Sequence, residues 1–363
     1  MKKVLVIDDS ALMRRVISDI INQDDKLTVA GTANNGEAAL EQLVGGAKYD
    51  VILVDIKMPK MDGVRLLREL NQKRIRVPSL IVSSIASESG SETIEALELG
   101  AIDFIKKPIS SIGENFADFR VELLQKVYVA TGIDSRGDFL TYHHAKAETE
   151  SSHRSSVKKN DTPKKLHTAR KGTKLVVIAS STGGPKALQS VVPFFPANFP
   201  YPVVIVQHMP AGFTNSLAQR LDEMSQIRVK EARDGEDLRS GTVYIAMGGK
   251  QCELIHKPNG EYCFSENDKP PRGGLRPCAD IFFESLVDTA FEEIICGVLT
   301  GMGSDGTKGI SLIRESHNVK CVAQSKETCV VYGMPRAAVD AGIVDDVVPL
   351  DKITAQLVRR SGV

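Results

Sequence analysis

The feature that most constrains the fold of this chain is the alternation of short apolar runs with helical stretches over residues 3–105. Buried strands of a parallel sheet appear as apolar runs, and each pair of parallel strands needs a crossover, usually a helix. Five such repeats in about 125 residues predict a doubly wound α/β unit with a parallel sheet, closed by a fifth helix over roughly residues 111–130. The predicted strands are VLVID, LTVAGT, DVILVD, SLIVSS and AIDFIK.

A second alternation of the same kind follows a polar interruption. At 363 residues the chain is longer than a single core usually supports, so two domains are expected. The second is predicted over residues 173–363 as another doubly wound α/β domain with a mainly parallel sheet, with regular structure ending near Leu350. Its predicted strands are KLVVIAS, YPVVIVQH, TVYIAM, EIICGVLT and VKCVAQ.

Residues 131–172 are predicted to be a polar, basic linker between domains at 1–130 and 173–363. From Ser151 to Lys174, eight Lys and Arg residues stand against one acid, Asp161, which gives 8 − 1 = +7. Such clusters bind phosphates or nucleic acid in some proteins, but a solvated linker is the simpler interpretation.

The composition argues against several classes of protein. A formal net charge of zero gives no support for a chain built to coat nucleic acid or membrane. The apolar run after Lys2 and Lys3 ends at Asp8, too early for the core of a signal peptide. No apolar stretch approaches the length of a membrane span, so we expect a cytoplasmic protein.

The six cysteines form no C-x-x-C pair, which disfavours a zinc site, and the expected cytoplasmic location disfavours disulfides. Buried reduced thiols are the simpler prediction. The cysteines are Cys252, Cys263, Cys278, Cys296, Cys321 and Cys329.

Acidic and polar residues end several strands of the first domain. In the flavodoxin-like strand order 2-1-3-4-5, Asp8 and Asp9 end the first strand beside Asp55, which ends the third. Three carboxylates repel one another unless a cation compensates, and Mg²⁺ is the natural hard cation beside a phosphate. Ser83 and Lys107 end the next two strands, where they would bind a phosphoryl group on an aspartate, a competent nucleophile. The alternative is that the acids merely cap helices.

The stretches LVIDDSALMRR, DVILVDIKMPKMDG, LIVSS and FIKKP resemble the receiver domain of two-component response regulators, over residues 1 to about 125. The resemblance implies that a histidine kinase phosphorylates Asp55. It also implies the other site residues: Asp8, Asp9, Asp55 and the Lys57 carbonyl hold Mg²⁺, Ser83 and Lys107 sense the phosphoryl group, and Phe104 is the switching aromatic residue.

A small-residue turn opens the second domain. In VVIASSTGGPKAL, a strand passes into a helix through residues 180–184, with Pro185 suited to the first helical turn. A serine here would place its hydroxyl at the sheet edge, beside free backbone amides of the helix start. The spacing fits neither a Walker A loop nor G-x-S-x-G. The stretch alone leaves a nucleophile and a plain turn equally open.

A histidine and an aspartate follow other strands of the second domain. Of seven histidines, only His208 stands immediately after a buried-strand run. Such a residue is commonly structural, but a serine turn and an acid at the same edge favour a catalytic role.

The stretch LTGMGSDGTKGI contains Gly301-x-Gly303-x-x-Gly306, the pattern of a dinucleotide-binding turn. A pyrophosphate there would meet Asp305, and the following strand ends in Gln324 rather than an acid. Asp305 would instead be a helix cap or the acid that orients His208.

The stretches SSTGGP, VQHMPAGFT, LTGMGSDG and VVYGMPRAAVDAG resemble the catalytic domain of the chemotaxis protein-glutamate methylesterase family, CheB. With the receiver in front, the resemblance covers both domains. It implies a phosphorylation-regulated serine hydrolase that removes methyl esters from glutamates of methyl-accepting chemotaxis receptors and commonly deamidates glutamines. It implies no cofactor in the catalytic domain, no nucleic-acid partner, and membrane contact only through receptors.

The resemblance also implies site residues: Ser181 as nucleophile, His208 as base, Asp305 as the acid that orients it, and the Thr182 and Met302 amides as the oxyanion hole. Two positions depart from the family pattern: MGG at Met247 replaces Pro-Gly-Gly, and Ala179-Ser180 stands where the family has Gly-Ala. The second departure leaves Ser180 open as a second nucleophile candidate. The alternative function is a response regulator with a nucleotide- or nucleic-acid-binding output domain.

Overall fold

A computed structural model describes residues 1–84, 89–108, 114–133 and 170–363. It divides into two compact units, Met1–Thr141 and Tyr142–Val363. Most of the predicted linker, and with it most of the basic cluster, lies outside the described residues.

The first unit contains the predicted five-stranded parallel sheet in the order β2-β1-β3-β4-β5. Its strands are β1 Lys2–Ile7, β2 Leu27–Ala33, β3 Val51–Val54, β4 Ser79–Ser83 and β5 Asp103–Lys106. Its helices are α1 Ala11–Asn22, α2 Gly36–Val44, α3 Gly63–Gln72, α4 Ser89–Glu98 and α5 Glu114–Thr131.

Local signals in the sequence account for these elements. The apolar run of β3 is buried throughout, as expected for a strand covered on both faces. The α1 helix begins at Ser10, whose hydroxyl accepts the Met13 N–H, and it buries Ile17, Ile20 and Ile21, which share one helical face. The parallel pairing of β1 with β3, in which Ile7 lies opposite Val54, places the carboxyl ends of the two strands side by side.

The second unit contains a seven-stranded parallel sheet, order β14-β13-β12-β6-β7-β9-β8, and a separate antiparallel hairpin, β10-β11. Its strands are β6 Arg170–Ser180, β7 Val203–Gln207, β8 Arg228–Glu231, β9 Thr242–Ile245, β10 Gln251–His256, β11 Tyr262–Asn267, β12 Phe291–Val298, β13 Asn318–Gln324 and β14 Asp346–Val348. Its helices are α6 Gly184–Gln189, α7 Phe213–Met224, α8 Ala279–Glu284, α9 Thr307–Ile313, α10 Met334–Asp340 and α11 Ile353–Arg360.

The sequence did not indicate β8, β14 or the β10-β11 hairpin. Both single strands lie at sheet edges, where apolar runs are not required: β8 reads RVKE, and only Val229 in it is buried. The expected end of regular structure near Leu350 was wrong, because α11 follows it and buries Ile353 and Leu357. Short amphipathic elements of this kind carry too few apolar positions to stand out.

The central strand β6 sets the position of the candidate site. Along the chain, β6 connects to β7 on one side, and β12 later returns to its other side. The carboxyl ends of β6, β7 and β12 therefore form the switch point of the sheet, where doubly wound folds bind ligands. Ser181, His208 and the glycine turn all follow directly from these ends.

Two further expectations concern the second unit and the chain as a whole. Five of the six cysteines are buried free thiols, and Cys329 is half-buried. Among the residues that the structure describes, no helix is long and apolar enough to span a membrane.

Candidate functional site

The first unit gathers three carboxylates at one edge of its sheet. One oxygen each of Asp8, Asp9 and Asp55 lies within 4.8 Å of the others. Asp8 and Asp55 are buried, and Asp9 is exposed. The Lys107 ammonium nitrogen lies 2.7 Å from a carboxylate oxygen of Asp8 and 2.7 Å from one of Asp55.

Burial and charge act in opposite directions on Asp55. Burial raises the pKa of Asp55, Lys107 lowers it, and Asp8 and Asp9 raise it further, for a net value of about 6. Burial lowers the pKa of Lys107, but the Asp55 and Asp8 carboxylates outweigh it and raise the pKa overall. The cluster holds more negative charge than one lysine neutralises.

This donor set fits a hard divalent cation. Three carboxylates of which two are buried match the oxygen ligands that Mg²⁺ takes, and a dication would balance the excess charge. The Lys57 carbonyl completes the predicted set of Mg²⁺ ligands. The Lys57 side chain forms an ion pair with Glu92 on α4 at 2.6 Å.

The two predicted sensing residues flank the cluster. Ser83 is buried at the end of β4, where its hydroxyl donates to the Ser84 carbonyl. The Ser83 carbonyl in turn accepts the Lys107 N–H at 2.8 Å, so the lysine is tied to the end of β4. Phe104 is buried, with the Lys126 ammonium 5.4 Å from its ring centroid.

In the second unit, the two adjacent serines have different environments. Ser180 is fully buried, and its hydroxyl donates to Oε1 of Gln207 at 2.6 Å. The Gln207 amide nitrogen donates to the carbonyls of Ser181 at 3.0 Å and His208 at 3.1 Å. Ser180 and Gln207 therefore tie together the turns that carry Ser181 and His208, while Ser181 itself is half-buried.

His208 and Asp305 are hydrogen-bonded across 97 positions of sequence. Nε2 of His208 lies 2.7 Å from Oδ2 of Asp305, and both side chains are largely buried. Asp305 also accepts the backbone N–H groups of Ala279 at 2.6 Å and Asp280 at 3.0 Å, and the Cys278 thiol at 3.1 Å.

These donors keep Asp305 ionised. Burial raises its pKa, but the hydrogen bond and charge of His208 and the N–H groups of Asp280 and Ala279 lower it well below its usual value overall. An ionised carboxylate only accepts hydrogen bonds, so Nε2 of His208 carries the proton and Nδ1 is left as the basic nitrogen.

The glycine turn brings its backbone against Ser181. The Ser181 N–H donates to the Thr300 carbonyl at 3.0 Å, and a Cβ added to Gly301 would lie 2.8 Å from Cβ of Ser181. A side chain at position 301 would therefore displace the serine turn. Within the described residues, the N–H groups of Thr182 and Met302 donate no hydrogen bond to another group of the chain.

The structure thus accounts for the glycine pattern without a dinucleotide. Gly301 permits the close approach to Ser181, and Gly306 takes a φ of 89° at the start of α9. Asp305 does act as a helix cap, but for α8 rather than for the helix that follows it in sequence.

Two contributors were not found from the sequence. Gln207 is buried at the end of an apolar strand run. Its position directly before His208 was the only indication in the sequence that it contributes to the site. The first turn of α8 donates hydrogen bonds to Asp305. The sequence did not predict this contact, because no short sequence pattern links the helix to residue 305.

The fold and these sites define a response regulator, in which a receiver domain precedes a doubly wound α/β output domain. Residues 4–113 match the family model of the response regulator receiver domain, and residues 176–357 match that of the CheB methylesterase. The chain belongs to the CheB family, and the resemblance that its motifs predicted is confirmed.

Relatives agree over nearly the whole length. The protein-glutamate methylesterase/protein-glutamine glutaminase 1 of Syntrophomonas wolfei is 42% identical over 359 residues, with 98% of each chain covered. The protein-glutamate methylesterase/protein-glutamine glutaminase of Bacillus subtilis has the same identity and coverage. The crystal structure of the Thermotoga maritima CheB methylesterase catalytic domain is 43% identical, with a TM-score of 0.50, covering 52% of this chain and 98% of that one. These matches do not favour a nucleotide- or nucleic-acid-binding output domain.

Proposed function

We propose that this protein is a phosphorylation-regulated hydrolase that cleaves glutamate methyl esters, and deamidates glutamines, on methyl-accepting chemotaxis receptors. The observation that carries the proposal is the His208–Asp305 pair at the carboxyl edge of a sheet whose next strand end presents Ser181. A serine, a histidine and an ionised aspartate from three strand ends are the components of a hydrolytic triad.

Ser181 is the nucleophile in this mechanism. The hydroxyl of Ser180 is wholly buried and committed to Gln207, which leaves Ser181 as the serine with access to a substrate. Nδ1 of His208 takes the Ser181 proton as the hydroxyl attacks the ester carbonyl, and Asp305 stabilises the resulting imidazolium. Methanol leaves with that proton, and water then hydrolyses the glutamyl-enzyme by the same steps.

The Thr182 and Met302 N–H groups are the proposed oxyanion hole. Both lie in turns beside Ser181, and neither is used by the chain itself among the described residues. A donor of this kind contributes about 2.7–4 kcal/mol to the stability of a tetrahedral intermediate in other hydrolases. No cofactor is needed for this chemistry.

The receiver supplies the regulation. We propose that a chemotaxis histidine kinase phosphorylates Asp55, that Asp8, Asp9, Asp55 and the Lys57 carbonyl hold Mg²⁺, and that Ser83, Lys107 and Phe104 respond to the phosphoryl group. The bound ion would neutralise charge between the carboxylates and the incoming phosphate. A kinase phosphodonor places the protein in the cytoplasm, where it would contact membranes only through its receptors.

The proposed function is tested by methanol release from membranes that contain methylated chemoreceptors. The full-length protein, supplied with Mg²⁺ and a small phosphodonor such as acetyl phosphate, is expected to release methanol and leave free glutamates. The same membranes with unmethylated glutamates are the control. A protein that binds dinucleotide or nucleic acid and releases no methanol would contradict the proposal.

Gly301→Ala is expected to lower kcat about 10²-fold, because the added Cβ would displace Ser181 from its attacking position. The measurement is methanol release, with circular dichroism to confirm the fold. The matched control is Gly342→Ala, because a Cβ there meets nothing within 4 Å, although its φ of 70° adds mild strain. Equal activity of the two variants would contradict the close approach.

Asp55→Asn is expected to abolish the stimulation of methanol release by acetyl phosphate, while unstimulated activity remains. The amide cannot accept a phosphoryl group, whereas the triad lies in the other unit and is unchanged. Lys107→Ala, which keeps the acceptor but removes its cation partner, is expected to be phosphorylated with a weaker response. Undiminished stimulation of Asp55→Asn would place the phosphorylation elsewhere.

A further inference from the structure

Asp280 is a buried acid beside the proposed triad, and it takes no part in the catalytic steps of the triad residues. It lies in the first turn of α8, with 8% of its surface exposed. Its backbone N–H donates to Oδ1 of Asp305 at 3.0 Å. Its own carboxylate oxygen Oδ1 accepts the backbone N–H of Gly309, in α9, at 2.7 Å.

The two acids therefore cap each other's helices. Asp305, two residues before α9, accepts N–H groups from the start of α8. Asp280, in α8, accepts an N–H group from the first turn of α9. Each carboxylate accepts hydrogen bonds from backbone N–H groups that have no partner within the first turn of their own helix. The α8 and α9 starts and the Asp305 turn are joined into one closed set of hydrogen bonds.

The packing of α8 on α9 makes this set rigid. A Cβ added to Gly309 would lie 2.6 Å from Cβ of Phe283 and 3.0 Å from Cα of Asp280, so the two helices touch at a distance that only glycine permits. A displacement of α8 would therefore displace the Asp305 carboxylate. The position of that carboxylate sets the orientation of His208.

We propose that Asp280 is a positioning residue for catalysis: by accepting the Gly309 N–H it holds the Asp305 carboxylate where it orients His208. The proposal rests on the proposed triad. Asp280 does not touch the substrate or the reacting atoms, and it acts through Asp305 alone.

Burial and neighbouring carboxylates disfavour a charge on Asp280, so its carboxyl group needs hydrogen-bond donors. Burial and the Asp305 and Glu284 carboxylates raise the pKa of Asp280, and the Gly309 and Gly306 N–H groups lower it in part. Other titratable groups nearby are the Cys278 thiol, which donates to Asp305, the imidazole of His208, and the Arg272 guanidinium, which pairs with Glu284. Backbone donors from both helices offset part of the repulsion between these two buried acids.

The test compares Asp280→Ala, Asp280→Asn and Asp288→Ala in the full-length, phosphodonor-stimulated protein. Asp280→Ala removes the acceptor and is expected to lower kcat about 10–10²-fold with little change in KM. The acid limb of the pH profile of kcat/KM is expected to move to lower pH, because a displaced Asp305 stabilises the imidazolium less. Asp280→Asn keeps an oxygen acceptor and is expected to restore kcat to within about 5-fold of wild type. Asp288, exposed beyond the end of α8, is the control and should leave kcat unchanged.

Several results would overturn the proposal. One is an Asp280→Ala variant with wild-type kcat and pH profile; another is an Asn variant as impaired as Ala, which would make charge rather than the hydrogen bond decisive. If the alanine variant does not fold, Asp280→Glu carries the test: it moves the acceptor by one methylene, so wild-type kcat would refute positioning. Ser181→Ala is measured in parallel, since full activity there refutes the triad itself, whereas its inactivity beside a normal Asp280→Ala refutes only this inference.

Discussion

Ser181→Ala is expected to lower kcat for methanol release at least about 10⁴-fold, with the fold retained. Without the hydroxyl no glutamyl-enzyme forms, and what remains is binding and oxyanion stabilisation acting on attack by water. Because Ser181 is half-buried and its hydroxyl is not among the hydrogen bonds that tie the strand ends together, stability should change by less than about 0.5 kcal/mol. Rates on methylated receptor membranes, with thermal unfolding measured in parallel, check both parts.

The adjacent serine provides the matched control. Ser180→Ala removes a buried donor from Gln207, so it is expected to destabilise the second unit by about 1–3 kcal/mol while lowering kcat less than about 10-fold. The two variants thus have opposite profiles of activity and stability. A Ser180→Ala variant that is inactive beside an active Ser181→Ala would exchange the roles of the two residues.

Asp305→Asn is expected to have the second largest effect, a loss of about 10⁴-fold in kcat. A comparable substitution in another serine hydrolase leaves the geometry intact but selects the wrong histidine tautomer. Here Oδ2 of Asp305 accepts from Nε2 of His208 and from the Ala279 N–H. An amide NH₂ in that place would oppose the Ala279 N–H, make Nε2 an acceptor and put the proton on Nδ1. The base would then be unable to accept the serine proton. Steady-state rates across pH 6–9 measure the loss.

Asp305 also contributes to stability, with a defined pH dependence. Its folded-state pKa is lowered, so the contribution is full above the unfolded aspartate pKa of about 3.9 and is lost as pH falls below it. The difference in free energy of unfolding between wild type and Asp305→Asn should shrink as the pH falls below about 4. Asp288→Asn, an exposed substitution, is the control. A difference that grows in acid would show that Asp305 is not ionised in the folded protein.

The main sheets of both units were predictable because their strands are buried on both faces. Such strands must be apolar, so VILV of β3 and VVIVQ of β7 stand out from their helical neighbours. The edge strand β8 and the β10-β11 hairpin were missed because one face or edge of each meets water, so charged residues are allowed there and no apolar run marks the strand. The acid cluster of the first unit followed from the same rule, because strand order places the ends of β1 and β3 together.

By itself, the sequence determined the two α/β units, the chemistry at each strand end and the family, since these depend on residue type and short-range spacing. Only the tertiary structure decided that Ser180 is committed to Gln207, that Nε2 rather than Nδ1 of His208 meets Asp305, and that His208 and backbone donors of α8 together lower the pKa of this acid. The physical reason is that hydrogen bonding and burial act between groups brought together from distant parts of the chain. Asp305 and its partner His208 are 97 positions apart, and no local pattern records which atoms meet.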